Sequence, residues 1–406
     1  MGVFFISHQT VSRKIRWHRK TALLILGIIL IATTLRLPLT IVGPIIELLR
    51  TDLGISHVLG GFLTTIPLLA FAVVSPMVPK ISRRFGIELT LLLSMVLLII
   101  GIITRATGTT TLLLIGTILI GVAISFGNVL LPSYFKLKFP LHIGLMMGIY
   151  SVAMNISGGI GAGISHPIAQ HYNWQIALTF PCLFAIVAAL VWLPQLSANE
   201  RITTSTQHTA RLVLWRSPLA WAVTLAMGLQ SFIFYTTGAW LPAIFVAQGL
   251  APDKAGWMIS IMLLAQLPST FLTPVIADRL PSQRPIVIAF TLLYSIGFIG
   301  IALQFTSLTM LWVVCIGLAG GASFNLAMML FTLRTRTAYD AADLSGFAQS
   351  IGYLLAASGP VIFGYLHDIS GDWTIATYVF LVVTAMLCIS GLYAAQNNYV
   401  NEERAS

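Results

Sequence analysis

Twelve apolar stretches, each long enough to cross the hydrocarbon of a bilayer as an α-helix of about 20 residues, divide this chain into spans and short polar gaps. They are predicted at roughly 22–49, 57–79, 87–105, 111–132, 143–170 and 174–194, and again at 218–246, 254–277, 286–305, 308–333, 343–366 and 374–395. Lipid offers no partner to a backbone N–H or C=O, so runs of this length must satisfy their own hydrogen bonds as helices. The fold class that follows is an all-α membrane protein. With 57% hydrophobic residues, 8% charged residues and a mean hydropathy of +0.92, the chain does not have water as its main solvent. A formal charge of +10 would point to nucleic acid in a soluble protein, but here the basic residues sit in gaps between spans. The lipid bilayer is therefore the expected partner, and nucleic acid is not.

Residues 195–217 are polar and rich in Thr and Ser, the one long stretch that cannot lie inside a membrane. The expected organisation is a basic tail (1–20), a first six-helix bundle (21–194), a linker (195–217), a second six-helix bundle (218–396) and a short tail (397–406). With both termini in the cytoplasm, eighteen Lys and Arg fall on the inner side, while only Arg50, Arg105 and Lys254 fall outside and Arg36 stays within the membrane. The positive-inside rule then places the linker and both tails on the cytoplasmic face of the cell inner membrane. The run from Ala22 is too long for a signal-peptide core and lacks a small-x-small cleavage site, so it is expected to remain as the first span.

Landmarks recur between the halves at an offset of 197 to 199 residues: Pro44 with Pro242, Pro76 with Pro274, Asn128 with Asn325, Gly148 with Gly346, Gly161 with Gly359, and Trp174 with Trp373. Six matches in order indicate an internal repeat. Each half has an even number of spans, so the two share one orientation about an axis along the membrane normal.

Arg36 carries the most information about function. It lies about 21 Å into the first span at 1.5 Å per residue, near the bilayer centre. A guanidinium there costs roughly 2.5 to 3.5 kcal/mol on insertion scales and belongs in a bundle interior or cavity. It either binds an anionic or strongly polar solute, or caps carbonyls freed by Pro38 or stacks on an aromatic such as Trp240 or Tyr235. No Asp or Glu lies deep in any span: Glu47 and Glu88 sit at helix ends and the other acids fall in loops or tails. An arginine without a carboxylate partner suits a small oxyanion or an anion such as cyanate, because its planar fork makes bidentate hydrogen bonds. The same absence weakens any mechanism in which a buried carboxylate carries a coupling proton.

In the seventh span Gln230, Phe234 and Gly238 share a helical line, with Ser231 and Tyr235 on the adjoining one. Gln230 and Tyr235 are candidates to bond a polar solute, or to bond neighbouring helices. Asn128 and Asn325 carry the same two readings, and Trp240 is a candidate for the pocket or for an interfacial anchor. The small-residue runs at 158–163 and 356–360 serve as hinge surfaces or as plain tight packing. His166 is a lone histidine, read as hydrogen-bonded filler or as a titrating group near the outer end of its span. Cys182, Cys315 and Cys388 lie singly in apolar segments and are expected as core residues, so no metal site and no cofactor is expected.

Asp278-Arg279-Leu-Pro-Ser-Gln-Arg284 and Lys80-Ile-Ser-Arg83-Arg84-Phe-Gly86 occupy equivalent gaps and resemble the Gly-x-x-x-Asp-Arg-x-Gly-Arg-Arg signature of the major facilitator superfamily. The first copy has Lys80 where the acid would align, and the second lacks the glycines. The resemblance extends over all twelve spans and implies the major facilitator fold, with a substrate site near the midplane between two pseudo-symmetric six-helix bundles. It also implies that Asp278, Arg279, Arg83 and Arg84 act in charge-paired gating of the inner face. Thr34-Leu-Arg36-Leu-Pro-Leu-Thr-Ile-Val-Gly-Pro44, Gly127-Asn-Val-Leu-Leu-Pro132 and Gly228-Leu-Gln-Ser…Tyr235…Trp240-Leu-Pro242 are similar to the cyanate and 2-nitroimidazole transporter branch. That branch often has Asn where this chain has Leu35. The resemblance implies pocket roles for Arg36, Gln230 and Tyr235, with Arg105 as a further candidate.

The expected function is thus secondary transport, by alternating access, of a small anionic or nitro/azole-type solute by a monomer, with a proton or counter-anion as coupling partner. A multidrug exporter is the alternative, though it usually needs an acid for cationic drugs. A membrane-embedded enzyme lacks any clustered His/Asp or paired carboxylates in or beside a span. No phosphate-binding loop is present, so energy must come from a gradient or from exchange.

Overall fold

The computed structural model describes residues 19–55, 57–199 and 214–400. Most of the basic N-terminal tail, the middle of the linker and the last residues, including Arg404, lie outside the described residues. The first half comprises α1 (Arg19–Thr40), α2 (Ile46–Leu53), α3 (His57–Val74), α4 (Val78–Phe85), α5 (Ile87–Arg105), α6 (Thr110–Lys138), α7 (Ile143–His171), α8 (Trp174–Thr179) and α9 (Pro181–Trp192). The second half comprises α10 (Pro218–Ala247), α11 (Pro252–Ala277), α12 (Arg284–Ala302), α13 (Thr309–Leu333), α14 (Ala338–Ser370) and α15 (Thr374–Ala394). Among the described residues, eleven spans are long and apolar enough to cross a bilayer, and the pair α3 and α4, bent by 61°, makes a twelfth when taken as one. Large apolar side chains such as Val73, Leu183, Val361 and Ile389 are exposed around the perimeter, where lipid rather than water covers them.

Three spans expected as single helices are broken, each at a proline. The first stops at Thr40 and resumes after a 3₁₀ turn over Gly43–Ile45 that contains Pro44. The second is interrupted after Val74, where Pro76 lacks the N–H that would continue the helix. The sixth is divided between α8 and α9 at Pro181. The eleventh starts five residues earlier than expected, since the Thr337 side chain caps α14 by accepting from the Asp340 N–H.

The two halves are pinned together at the end that carries the first and last described residues. There Gly144 of α7 lies against the Pro274 carbonyl and Asp278 of α11, and Gly346 of α14 lies against the Ser75 carbonyl beyond α3. Gly144 and Gly346 sit on equivalent helices of the two halves, about one helical turn apart in the repeat, and each needs glycine because a Cβ would strike backbone. Ser350 Oγ donates to the Ala72 carbonyl at 2.6 Å, and Gln349 Nε2 to the Asn128 carbonyl at 3.1 Å. Lys136, at the end of α6, donates to the Thr332 carbonyl at 2.6 Å and to that of Thr335, so one ammonium holds the C-terminus of α13. Arg83 of α4 pairs with Asp343 of α14. Toward the opposite end the halves separate around a cavity.

Candidate substrate site

The cavity is wide at that opposite end and tapers inward. Its wide part, about 810 Å³, is walled by apolar side chains of α1, α3, α7 and α11, including Leu39, Leu63, Leu68, Ile160, Leu263 and Leu267. Its tip has room of only about 20 Å³ and is polar, lined by Arg36, Asn155, Gln230, Ser231, Tyr235, Gln266 and Thr270 together with Phe234, Phe324 and Tyr353. One ordered water needs about 10 to 15 Å³ measured this way, so the tip admits one small group. Arg36, Asn155, Phe234 and Tyr235 line both parts and form the passage between them.

Arg36 reaches this passage because α7 is glycine there: a Cβ at Gly158 would stand 2.7 Å from Arg36 Cγ. The guanidinium lies 5.2 Å from the centroid of the Phe234 ring, and Tyr235 lines the same passage beside it. The stacking alternative thus holds for a neighbouring residue, with Phe234 taking the place expected of Trp240 or Tyr235. Neither contact neutralises the charge, and no Asp or Glu lines the tip or the wide cavity among the described residues. A neutral ring returns about 0.5 to 2 kcal/mol to a cation, well below the desolvation cost of a buried guanidinium. The site is therefore a positive, partly dry hollow, with the electrostatics that draw an anion or the oxygens of a nitro group.

The surrounding groups are neutral and of mixed hydrogen-bonding character. Gln230 Nε2 donates to Ser231 Oγ at 2.7 Å and to the Met227 carbonyl at 3.0 Å, which fixes the amide against its own helix. Asn155 Nδ2 donates to Thr270 Oγ1 at 3.5 Å, joining α7 to α11 across the tip.

Of the residues expected in the pocket, Arg36, Gln230 and Tyr235 come together at the tip, and Arg105 lines the wide cavity. Arg105 is 1% exposed; its Nη1 donates to the Pro38 carbonyl at 2.7 Å near the end of α1, while Nε and Nη2 have no partner. Three others lie outside both linings. Asn128 accepts from the Tyr150 hydroxyl at 3.3 Å, Asn325 donates to the Gly321 carbonyl at 2.8 Å, and Trp240 donates to the Pro360 carbonyl at 2.8 Å and packs 5.1 Å from Trp373. Among the expected gating residues, Arg83 meets Asp343, Arg84 lies 5.6 Å from the Phe85 ring, Asp278 packs at Gly144 across the interface of the halves, and Arg279 is exposed. Asn155, Gln266, Thr270, Phe324 and Tyr353 escaped the sequence reading. The repeat offset held a usable signal, for Arg36 with Phe234 and Asn155 with Tyr353 are pairs 198 residues apart.

Residues 24–360 match the family model of the Major Facilitator Superfamily. The chain is 44% identical over 380 residues to the transporter YycB of Bacillus subtilis (strain 168), covering 93% of this chain and 94% of the relative. It is 36% identical over 381 residues to the 2-nitroimidazole transporter of Escherichia coli (strain K12), covering 93% and 96%, and 28% identical over 371 residues to the cyanate transport protein CynX of the same organism, covering 91% and 95%. Its fold is similar to that of the proton:xylose symporter XylE, with a TM-score of 0.76 at 16% identity over 94% of this chain and 98% of that one. A twelve-span repeat closed at one end around a polar tip, with these matches across nearly its whole length, establishes that the chain belongs to the major facilitator superfamily of membrane transporters.

Proposed function

We propose that this protein is a secondary transporter of a small anionic or nitro/azole-type solute, cyanate or a 2-nitroimidazole-like compound, working by alternating access between inward- and outward-open states. The observation that carries this reading is Arg36, a cation at the tip of a cavity with no carboxylate partner among the described residues. Relatives named for 2-nitroimidazole and cyanate support it. Arg36 binds the anionic or nitro oxygens, Tyr235 and Gln230 orient the solute, and Phe234 and Tyr353 flank it. With the termini cytoplasmic, as the distribution of Lys and Arg favours, the wide cavity opens outward and the pinned end is the closed inner gate. Arg83 with Asp343, and Asp278 beside Gly144, then belong to that gate. A monomer in the cell inner membrane suffices, since both halves of the site come from one chain. An anion entering against a potential of about 100 mV is opposed by about 2.3 kcal/mol per charge, so uptake draws on a proton or a counter-anion.

The test is solute counterflow in proteoliposomes containing the purified protein. Preloaded cyanate or 2-nitroimidazole should accelerate entry of the labelled compound, while neutral sugars and amino acids should not. The wide apolar wall favours a second reading, multidrug efflux. Counterflow with lipophilic cations and none with small anions would establish that reading in place of the first.

A further inference from the structure

Among the described residues Arg105 is the one other cation lining the cavity, and its single hydrogen bond does not account for it. Capping the end of α1 at the Pro38 carbonyl uses one donor. Nε and Nη2 are closed off from water and lack any partner, in a side chain only 1% exposed. These two nitrogens form one edge of the guanidinium and direct their N–H groups in parallel, the geometry that receives two atoms of a planar or linear anion. The two hydroxyls that line the cavity with it, Thr117 Oγ1 and Thr40 Oγ1, donate to the Leu113 and Arg36 carbonyls at 2.7 and 3.3 Å and accept nothing from that edge. A buried charge left with unused donors is costly, and among the described residues no acid lines the cavity to offset it.

We propose that Arg105 is a second anion-binding station, separate from the tip at Arg36, where a small anion entering the cavity draws out the covered Nε and Nη2 edge and rests on it on its way between the cavity mouth and Arg36. It rests on the reading of the cavity as an anion path. The two arginines divide the work: Arg36 holds the solute between the halves, whereas Arg105 belongs to the first half alone and binds without engaging the second.

The test is equilibrium binding of radiolabelled thiocyanate to the purified full chain in nanodiscs, with gluconate as the ionic-strength control. Wild type should show a tight and a weaker class of site. Arg36→Gln should lose the tight class and keep the weaker one. Arg105→Gln should do the reverse, and Arg105→Lys, which keeps the charge and a donor for Pro38 but loses the two-pronged edge, should weaken the second class at least tenfold at an unchanged melting temperature. If Arg105→Gln does not fold, the weaker class remaining in Arg36→Gln, and its weakening in Arg36→Gln/Arg105→Lys, decides the assignment. A single class of site that vanishes with Arg36→Gln would reduce Arg105 to a helix cap and leave the transport reading standing. No binding by wild type would overturn both.

Discussion

Arg36 and Phe234 stand at equivalent positions of the two halves, as do Asn155 and Tyr353, and all four line the same tip. The first half contributes the charge, Arg36 at the tip and Arg105 in the wide cavity, while the second contributes mainly neutral polar and aromatic groups: Gln230, Ser231, Tyr235, Gln266, Thr270 and Phe324. A duplicated frame thus brings two matching helices to one axis and then fills the matching positions with opposite chemistry. The cation of one half rests on the ring of the other, which holds the guanidinium in place without cancelling its charge. The pinned end uses glycines on the equivalent helices α7 and α14, Gly144 against α11 and Gly346 beyond α3, where backbones approach closely.

The sharpest contrast is between Arg36→Ala and Phe234→Ala. Loss of the charge should lower the counterflow rate by about 10- to 150-fold, in line with charge-assisted hydrogen bonds of about 1.5 to 3 kcal/mol. Loss of the ring should cost only about threefold to fivefold, and equal losses would show that the halves contribute alike. Next in size is Gly158→Val, whose Cβ would stand 2.7 Å from Arg36 Cγ. Solute affinity should fall about tenfold as the arginine is displaced, while Gly159→Val, with open space around its Cβ, should leave it unchanged. Tyr235→Phe and Gln230→Leu should each weaken binding by about threefold to tenfold, the worth of a neutral hydrogen bond. Asp343→Asn frees Arg83 at the pinned end, and a partly exposed pair of this kind is worth about 1 kcal/mol at most. Distances between spin labels on α4 and α14 should then show a modest rise in the state open at that end, with solute affinity nearly unchanged. The smallest effect concerns protons. No Asp, Glu or His lines the cavity among the described residues, so binding of a strong-acid anion should be flat from about pH 6 to 8; a steep change there would reveal a titrating partner.

The twelve spans, the repeat and the importance of Arg36 were legible in the sequence because each is a local signal: an apolar run, a fixed offset, a charge in the wrong solvent. Gln230 and Tyr235 could be placed at the right depth by counting along one helix. The prolines at 44, 76 and 181 were visible too, but inside an apolar run they do not tell a kink from a break; packing against the neighbouring helices decides it. Asn155, Gln266, Thr270 and Tyr353 escaped notice because an uncharged polar residue in a span reads equally as packing or as pocket until its neighbours are known. For the same reason Asn128 and Asn325 were put forward, although one serves Tyr150 and the other Gly321. The partners at the pinned end, Lys136 with Thr332 and Arg83 with Asp343, are 196 and 260 residues apart, beyond the reach of any local pattern.

The central claim is that Arg36 uses its charge to hold the solute. It is tested most directly by thermal stabilisation of the purified wild type and Arg36→Ala against a panel of small anions, nitroimidazoles and neutral controls, since a ligand that binds the folded state raises its apparent stability. One or more of the anions or nitro compounds should raise the melting temperature of the wild type and leave that of Arg36→Ala unmoved. Equal stabilisation of both proteins, or stabilisation of the wild type by neutral compounds alone, would contradict it.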